Sequence, residues 1–116
     1  MRKFINSFGF AFEGITHAFK KERNFKIHVL AATIVILSGI LTKLSIQEWF
    51  VILILIGGML ALELLNTAVE RLVDLTTSER LPLAKQAKDL AAGAVLIYAI
   101  ASAIIGFIIF IPKWLS

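Results

Sequence analysis

From Leu90 to Ile111 the chain carries no charged side chain, and the same holds from Trp49 to Leu62 and from Val29 to Thr42. Crossing a bilayer as a helix takes about 20 predominantly apolar residues, and at least about 17. The run from Leu90 meets that length alone. The run from Trp49 meets it if the helix continues to about residue 70. The first is short in its uncharged centre, so a span over about 27–44 places His28 and Lys43 near its two interfaces. Spans are therefore expected at about 27–44, 49–70 and 90–111, in one domain covering 1–116. Trp49 and Trp114 suit interfacial anchoring. Gly57, Gly58 and Ala61, and the small residues from Ala91 to Ala103, permit close helix packing. Pro112, Lys113 and Trp114 are expected to end the last span.

Ahead of the spans, residues 1–20 read as a helix of a different kind. At about 100° per residue, Phe4, Ile5, Phe8, Phe12, Ile15 and Phe19 fall in one stripe, with Arg2, Lys3, Asn6, Glu13 and Lys20 largely elsewhere. This is the pattern of a helix lying in the membrane interface, although a core-facing helix has the same period. Asn6, Ser7 and Glu13 interrupt any signal-peptide core, and no small-residue cleavage site follows, so cleavage is not expected. The polar cluster Lys20–Asn24 separates this helix from the first span.

Composition agrees with this reading. Of the 116 residues, 59% are hydrophobic and the mean hydropathy is +0.87, against about half apolar in an ordinary soluble domain. There are no cysteines, which excludes disulfides and thiolate metal sites. The net charge is +4 with a pI near 9.7. The basic residues flank the apolar runs, which favours anionic headgroups or an anionic substrate over nucleic acid. Arg2, Lys3, Lys20, Lys21, Arg23 and Lys26 precede the first span, and Arg71, Arg80, Lys85 and Lys88 lie between the second and third. Only Lys43 and Lys113 belong to the opposite side. Lysine and arginine concentrate on cytoplasmic segments, so the N-terminus and the segment 76–89 are expected to face the cytoplasm.

The chemistry is concentrated in "ELLNTAVERLVD", Glu63 to Asp74. On a wheel of about 100° per residue, Glu63, Asn66, Thr67, Glu70 and Asp74 share one sector. Glu63 lies about 21 Å along the helix from Trp49, below the cytoplasmic surface. A carboxylate there costs about 2.5–3.5 kcal/mol, and several on one face repel. Arg71 points about 100° away from Glu70 and is a poor partner for it. A cation bound by oxygen donors alone, with no His or Cys on the face, points to Mg²⁺. Magnesium held by carboxylates usually keeps phosphate as a further ligand. That predicts phosphoryl transfer or phosphate binding, with Lys88 offsetting phosphate charge and Asp89 beside it. Neither the P-loop nor the dinucleotide glycine pattern is present. The competing structural reading makes Glu63 and Asn66 interhelical hydrogen-bond partners only. A non-enzymatic membrane subunit or transporter using the stripe as a cation path stays open; it would need polar groups in the Trp49–Leu62 half, which has none. His17 and His28 lie outside the stripe and read as bystanders.

"ELLNTAVERLVD", with "AKD" at Ala87–Asp89 and "KERNFK" before the first span, resembles the prokaryotic diacylglycerol kinase family, which includes the undecaprenol kinases of Gram-positive bacteria. The resemblance covers nearly the whole chain. It implies an all-α membrane protein with a surface helix and three spans, working as a homotrimer in a bacterial plasma membrane, with ATP and Mg²⁺ as co-substrate and cofactor. By the same resemblance Glu63 is the catalytic base. Glu22 and Glu70 are the Mg²⁺ ligands, and Glu22, Asn66, Glu70, Asp74, Glu79, Lys88 and Asp89 form the nucleotide site. Phe10 and Ala11 depart from the polar or tyrosine side chains of diacylglycerol-specific members. "KERNFKIH", "LSIQEW", "LIGGM" and "PLAKQAKDLAAGAV" look more like the Gram-positive branch. Undecaprenol therefore ranks above diacylglycerol as the expected lipid partner.

Overall fold

A computed structural model describes residues Met1–Ser116. The chain is entirely helical: α1 (Arg2–Lys21), α2 (Arg23–Thr42), α3 (Ile46–Thr76) and α4 (Pro82–Trp114). The last three are long and apolar enough to cross a membrane. At 31 and 33 residues, α3 and α4 are about 46 and 50 Å long, well beyond a hydrocarbon core of about 30 Å. Both helices therefore carry their polar ends outside it.

The junctions follow local chemistry. Only Glu22, in an extended conformation (φ −103°, ψ 114°), separates α1 from α2. The wider polar cluster around it stays helical, because lysine and arginine are good helix formers. Ala18 and Phe25, on either side of this elbow, are buried. The stripe of Phe4, Phe8, Phe12 and Phe19 has no cover within the fold, so the core-facing reading of α1 does not hold for this chain. Helix α2 stops at Lys43, which takes a left-handed conformation (φ 59°, ψ 62°), and the Leu44 N–H bonds back to the Gly39 carbonyl at 3.2 Å. Ser45 then starts α3 with a capping box. Its hydroxyl accepts from the Glu48 N–H at 3.2 Å, and the Glu48 carboxylate accepts from the Ser45 N–H at 2.9 Å. Such reciprocal capping satisfies two otherwise orphaned donors.

Helix α4 exceeds its expected span at both ends. Pro82 occupies its first turn, where a missing N–H costs nothing, and the polar residues through Asp89 are helical although they lack apolar periodicity. At the other end Pro112 lies inside the helix rather than ending it. The Leu115 N–H still reaches the Ile111 carbonyl at 3.1 Å, so the final turn closes after the proline.

Helices α3 and α4 run antiparallel and are pinned along their length. Near one end Lys113 reaches Glu48 at 3.2 Å, and near the other Lys88 reaches Asp74 at 2.5 Å. Between them the Tyr98 hydroxyl donates to the Ile54 carbonyl of α3 at 2.8 Å. The Tyr98 ring lies over Gly58, where a Cβ would overlap its hydroxyl and ring carbons, whereas one on Gly57 would meet nothing. Only the second glycine of the pair therefore admits a close neighbour. A small core of Leu44, Ile52 and Phe110 closes the Lys113 end, with Trp49 and Val35 packed on it. The small residues Ala99, Ser102, Ala103 and Gly106 of α4 face α2 and α3. They line an apolar cavity of about 320 Å³ shared with α2 and α3. The molecule measures 54 × 41 × 21 Å. A body this thin leaves most apolar faces of α2, α3 and α4 exposed, as expected where lipid rather than water is the neighbour.

Replacing Gly58 with alanine should displace Tyr98 and lower stability by more than Tyr98→Phe does. The latter loses one hydrogen bond, worth about 1 kcal/mol. Reversible unfolding in mixed micelles compares the two. Equal stability of Gly58→Ala and wild type would contradict the close approach.

Candidate active site

Helix α3 brings its acidic residues to the α1–α2 elbow and the start of α4. Glu63 and Asn66 are 3% and 6% exposed, the only polar residues among the buried ones. Their burial is notable in so thin a fold. The Asn66 amide donates to the Glu70 carboxylate at 2.8 Å, one turn along, as the shared sector requires. Its carbonyl oxygen, also buried, has no partner. Such an acceptor is costly to leave unsatisfied, and it stands open to a donor from a ligand or a cation.

His28 of α2 faces this line, with Nε2 3.6 Å from the Glu63 carboxylate. Sequence position had set it apart from the acidic stripe; the packing of α2 on α3 brings it in. Arg71 also finds a partner on another element. Its guanidinium pairs with Glu22 at the elbow and lies 3.0 Å from the His17 ring. The expected poor match between Arg71 and Glu70 is consistent with this, because Arg71 points toward α1 and α2 instead. Glu22 thus shares its carboxylate with an arginine, and it lies with Glu70 within electrostatic reach of Glu63.

A second polar group forms where α3 and α4 leave the apolar region. Asp74, Glu79, Arg80, Lys85 and Lys88 line a cavity of about 700 Å³ around the α3–α4 loop. Lys88 bridges to Asp74 across the helix pair. Glu79 is held on the loop by its own N–H, which donates to the Thr77 hydroxyl at 3.0 Å. Asp89 does not join Asp74 but pairs with Lys85 one turn away at 2.6 Å. That hydrogen bond raises the Lys85 ammonium above its ordinary range, on the polar first turns of α4 outside the apolar run.

Of the residues singled out from sequence, Glu63, Asn66 and Glu70 form one contiguous line and Asp74, Glu79 and Lys88 share the loop cavity. Glu22, at the elbow, pairs with Arg71, and Asp89 pairs with Lys85 apart from the line. From the sequence His28 reads as a bystander and Arg71 as a poor partner for Glu70, while Arg80 and Lys85 enter only as signals of orientation. The signal for His28 was an ionisable side chain at the edge of an apolar span, without a partner on its own helix. No three His, Cys, Asp or Glu side chains converge as a ready metal cage. The chemistry legible here is that of an anionic ligand with a cation. Carboxylates and an unsatisfied amide oxygen lie on one side, and lysine and arginine side chains rim a cavity on the other.

The family model for prokaryotic diacylglycerol kinase matches residues 9–110. The chain is 53% identical to the undecaprenol kinase of Bacillus subtilis over 113 residues, which is 97% of this chain and 92% of that one. It is 43% identical to the diacylglycerol kinase of Synechocystis, covering 95% of this chain and 63% of that one. It is 38% identical to the diacylglycerol kinase of Haemophilus influenzae, over 80% and 79% of the two chains. With the family model covering most of its length and relatives of this identity and coverage, the chain belongs to the prokaryotic diacylglycerol kinase family of membrane lipid kinases.

Proposed function

We propose that this enzyme transfers the terminal phosphoryl group of ATP to the hydroxyl of a membrane lipid alcohol, undecaprenol in preference to diacylglycerol. The observation that carries this reading is the line Glu63–Asn66–Glu70, continuous along α3 from a buried, lipid-depth position to the charged cavity at Asp74 and Lys88. Support for the polyprenol comes from the higher identity to the protein named undecaprenol kinase than to those named diacylglycerol kinase. The runner-up product is phosphatidic acid, from diacylglycerol.

In this reading Glu63 takes the proton of the lipid hydroxyl. Its burial limits the access of water, which would otherwise compete as acceptor. Lys88, Arg80 and Lys85 hold phosphate charge around the loop cavity, with Asp74, Glu79 and Asp89 fixing those cations or the nucleotide itself. The donor set fits Mg²⁺. Carboxylates and an amide oxygen are hard ligands, and this ion takes one or two protein carboxylates plus substrate phosphates rather than a full protein cage. Glu22 and Glu70 would hold it, and when bound it supplies neutralisation of charge on the phosphate oxygens. Arg71 must then yield the Glu22 carboxylate, which frees the guanidinium beside the nucleotide. Positioning and charge stabilisation account for most of the rate in phosphoryl transfer, and they are what these residues offer.

Residues 1–116 act as one catalytic domain, with the polar ends of α2, α3 and α4 and the N-terminus on the cytoplasmic side of the plasma membrane. The grouping of Arg23, Lys26, Arg71, Arg80, Lys85 and Lys88 toward that end supports the orientation. Assembly as a homotrimer with sites between protomers is what the family resemblance implies.

Purified protein given labelled ATP, Mg²⁺ and an equimolar mixture of undecaprenol and diacylglycerol should label undecaprenol first. Preference for diacylglycerol would reverse the ranking, and labelling of neither would sink the proposed reaction. Glu63→Gln should lose at least about a hundredfold in turnover, the range of general-base catalysis, while still binding nucleotide. Near-normal turnover would remove Glu63 from the base role. Glu70→Gln should instead weaken Mg²⁺–ATP binding in equilibrium titrations, and unchanged affinity would count against its place in the metal and nucleotide site.

A further inference from the structure

We propose that His28 is the second proton acceptor of the reaction, taking from Glu63 the proton removed from the lipid hydroxyl and releasing it to water. The inference rests on the phosphotransfer reading above and goes beyond it. An alcohol and ATP yield a phosphate ester, ADP and one proton. Glu63 receives that proton and must lose it before another turnover. Yet the Glu63 side chain is only 4% exposed, so it has little direct access to water. Asn66 cannot carry a proton onward, and its amide is committed to Glu70.

The titratable atom in ion-pair reach of Glu63 is Nε2 of His28, at 3.6 Å, on a side chain 23% exposed. A shift of a few tenths of an ångström makes this a hydrogen bond. With the ring proton on Nδ1, the lone pair of Nε2 accepts; the imidazolium then gives its proton to water, and Glu63 returns to carboxylate. Histidine is suited to this because its two ring nitrogens let it take a proton at one and give one up at the other. The other groups around it do not substitute for it. Glu70 and Glu22 influence Glu63 through space without contacting it. His17 is engaged with Arg71. The part of α4 in the cavity that His28 lines contributes no titratable side chain. His28 acts through Glu63 and need not touch either substrate, so it is a relay and positioning residue.

The test compares wild type, His28→Gln and His28→Ala in micelles with Mg²⁺–ATP and whichever lipid alcohol the wild type phosphorylates. Both variants should lose about tenfold or more in kcat, with KM for both substrates within about twofold, the signature of a step after binding. Added imidazole should restore His28→Ala in proportion to its neutral fraction as pH is varied. It should not restore His28→Gln, whose side chain fills the space. Wild-type kcat in His28→Gln would overturn the relay, since an amide can pack and donate but cannot carry the proton. Failure of imidazole to rescue folded His28→Ala, verified by its thermal unfolding, would overturn it equally. If His28→Ala does not fold, His28→Gln decides, because it must lose kcat while retaining nucleotide affinity. A wild type that phosphorylates no lipid alcohol would instead refute the underlying reaction, so the two failures are distinguishable.

Discussion

The antiparallel pairing of α3 with α4 is the interaction on which the other features depend. In lipid there is no hydrophobic drive to press one apolar helix against another, so the pair is held by specific contacts. Gly58 opens the place for the Tyr98 ring, the Ile54 carbonyl receives its hydroxyl, and an ion pair closes each end. The inner of those ion pairs, Asp74 with Lys88, also belongs to the proposed nucleotide site. The pairing that aligns the helices thus brings a carboxylate and an ammonium to the mouth of the loop cavity.

Much of this architecture was legible in the residues. Uncharged runs marked α2, α3 and α4, and a period of about 3.6 residues put Glu63, Asn66, Glu70 and Asp74 on one face. The half-buried hydrogen bond from Asn66 to Glu70 is a direct product of that spacing. Helix ends were less legible. Polar segments such as Leu83–Asp89 carry no apolar period, yet they continue α4 because nothing in them breaks it. Pro112 removes one donor in the last turn, which a helix end tolerates. Cross-helix partners were not legible at all. Whether His28 meets Glu63, or Arg71 meets Glu22, depends on how α2 is rotated and raised against α3, and a single sequence does not encode that separately from the fold. Intramembrane carboxylates signal a missing partner, but their spacing does not name it.

The site joins two regions of unlike polarity. At the Glu63 end the carboxylate is buried, and in the proposed reaction a single proton is difficult to dispose of there. At the Asp74 end, lysines, an arginine and acidic residues surround open space suited to a multiply charged ligand. Asn66 and Glu70 lie between the two. The polar line stays on one helix face throughout, and an unbroken α3 preserves the rise from one end of the proposed site to the other. A kink there would change both the distance and the angle between them. The absence of proline from α3 thus has chemical as well as structural value.

The elbow at Glu22 has a geometric consequence of its own. The helix preceding it presents an uncovered stripe of phenylalanines, and just one residue joins that helix to α2. A float connected to a mast by a single link sets the height of everything fixed to the link. With the stripe seated among lipid headgroups, the bilayer surface itself becomes the datum from which Glu22 is hung. The depth of the proposed reacting centre would then be gauged from the near leaflet rather than from the full thickness of the membrane. Bilayers of different thickness would alter how the far ends of α3 and α4 are wetted, while the altitude of the chemistry stays the same.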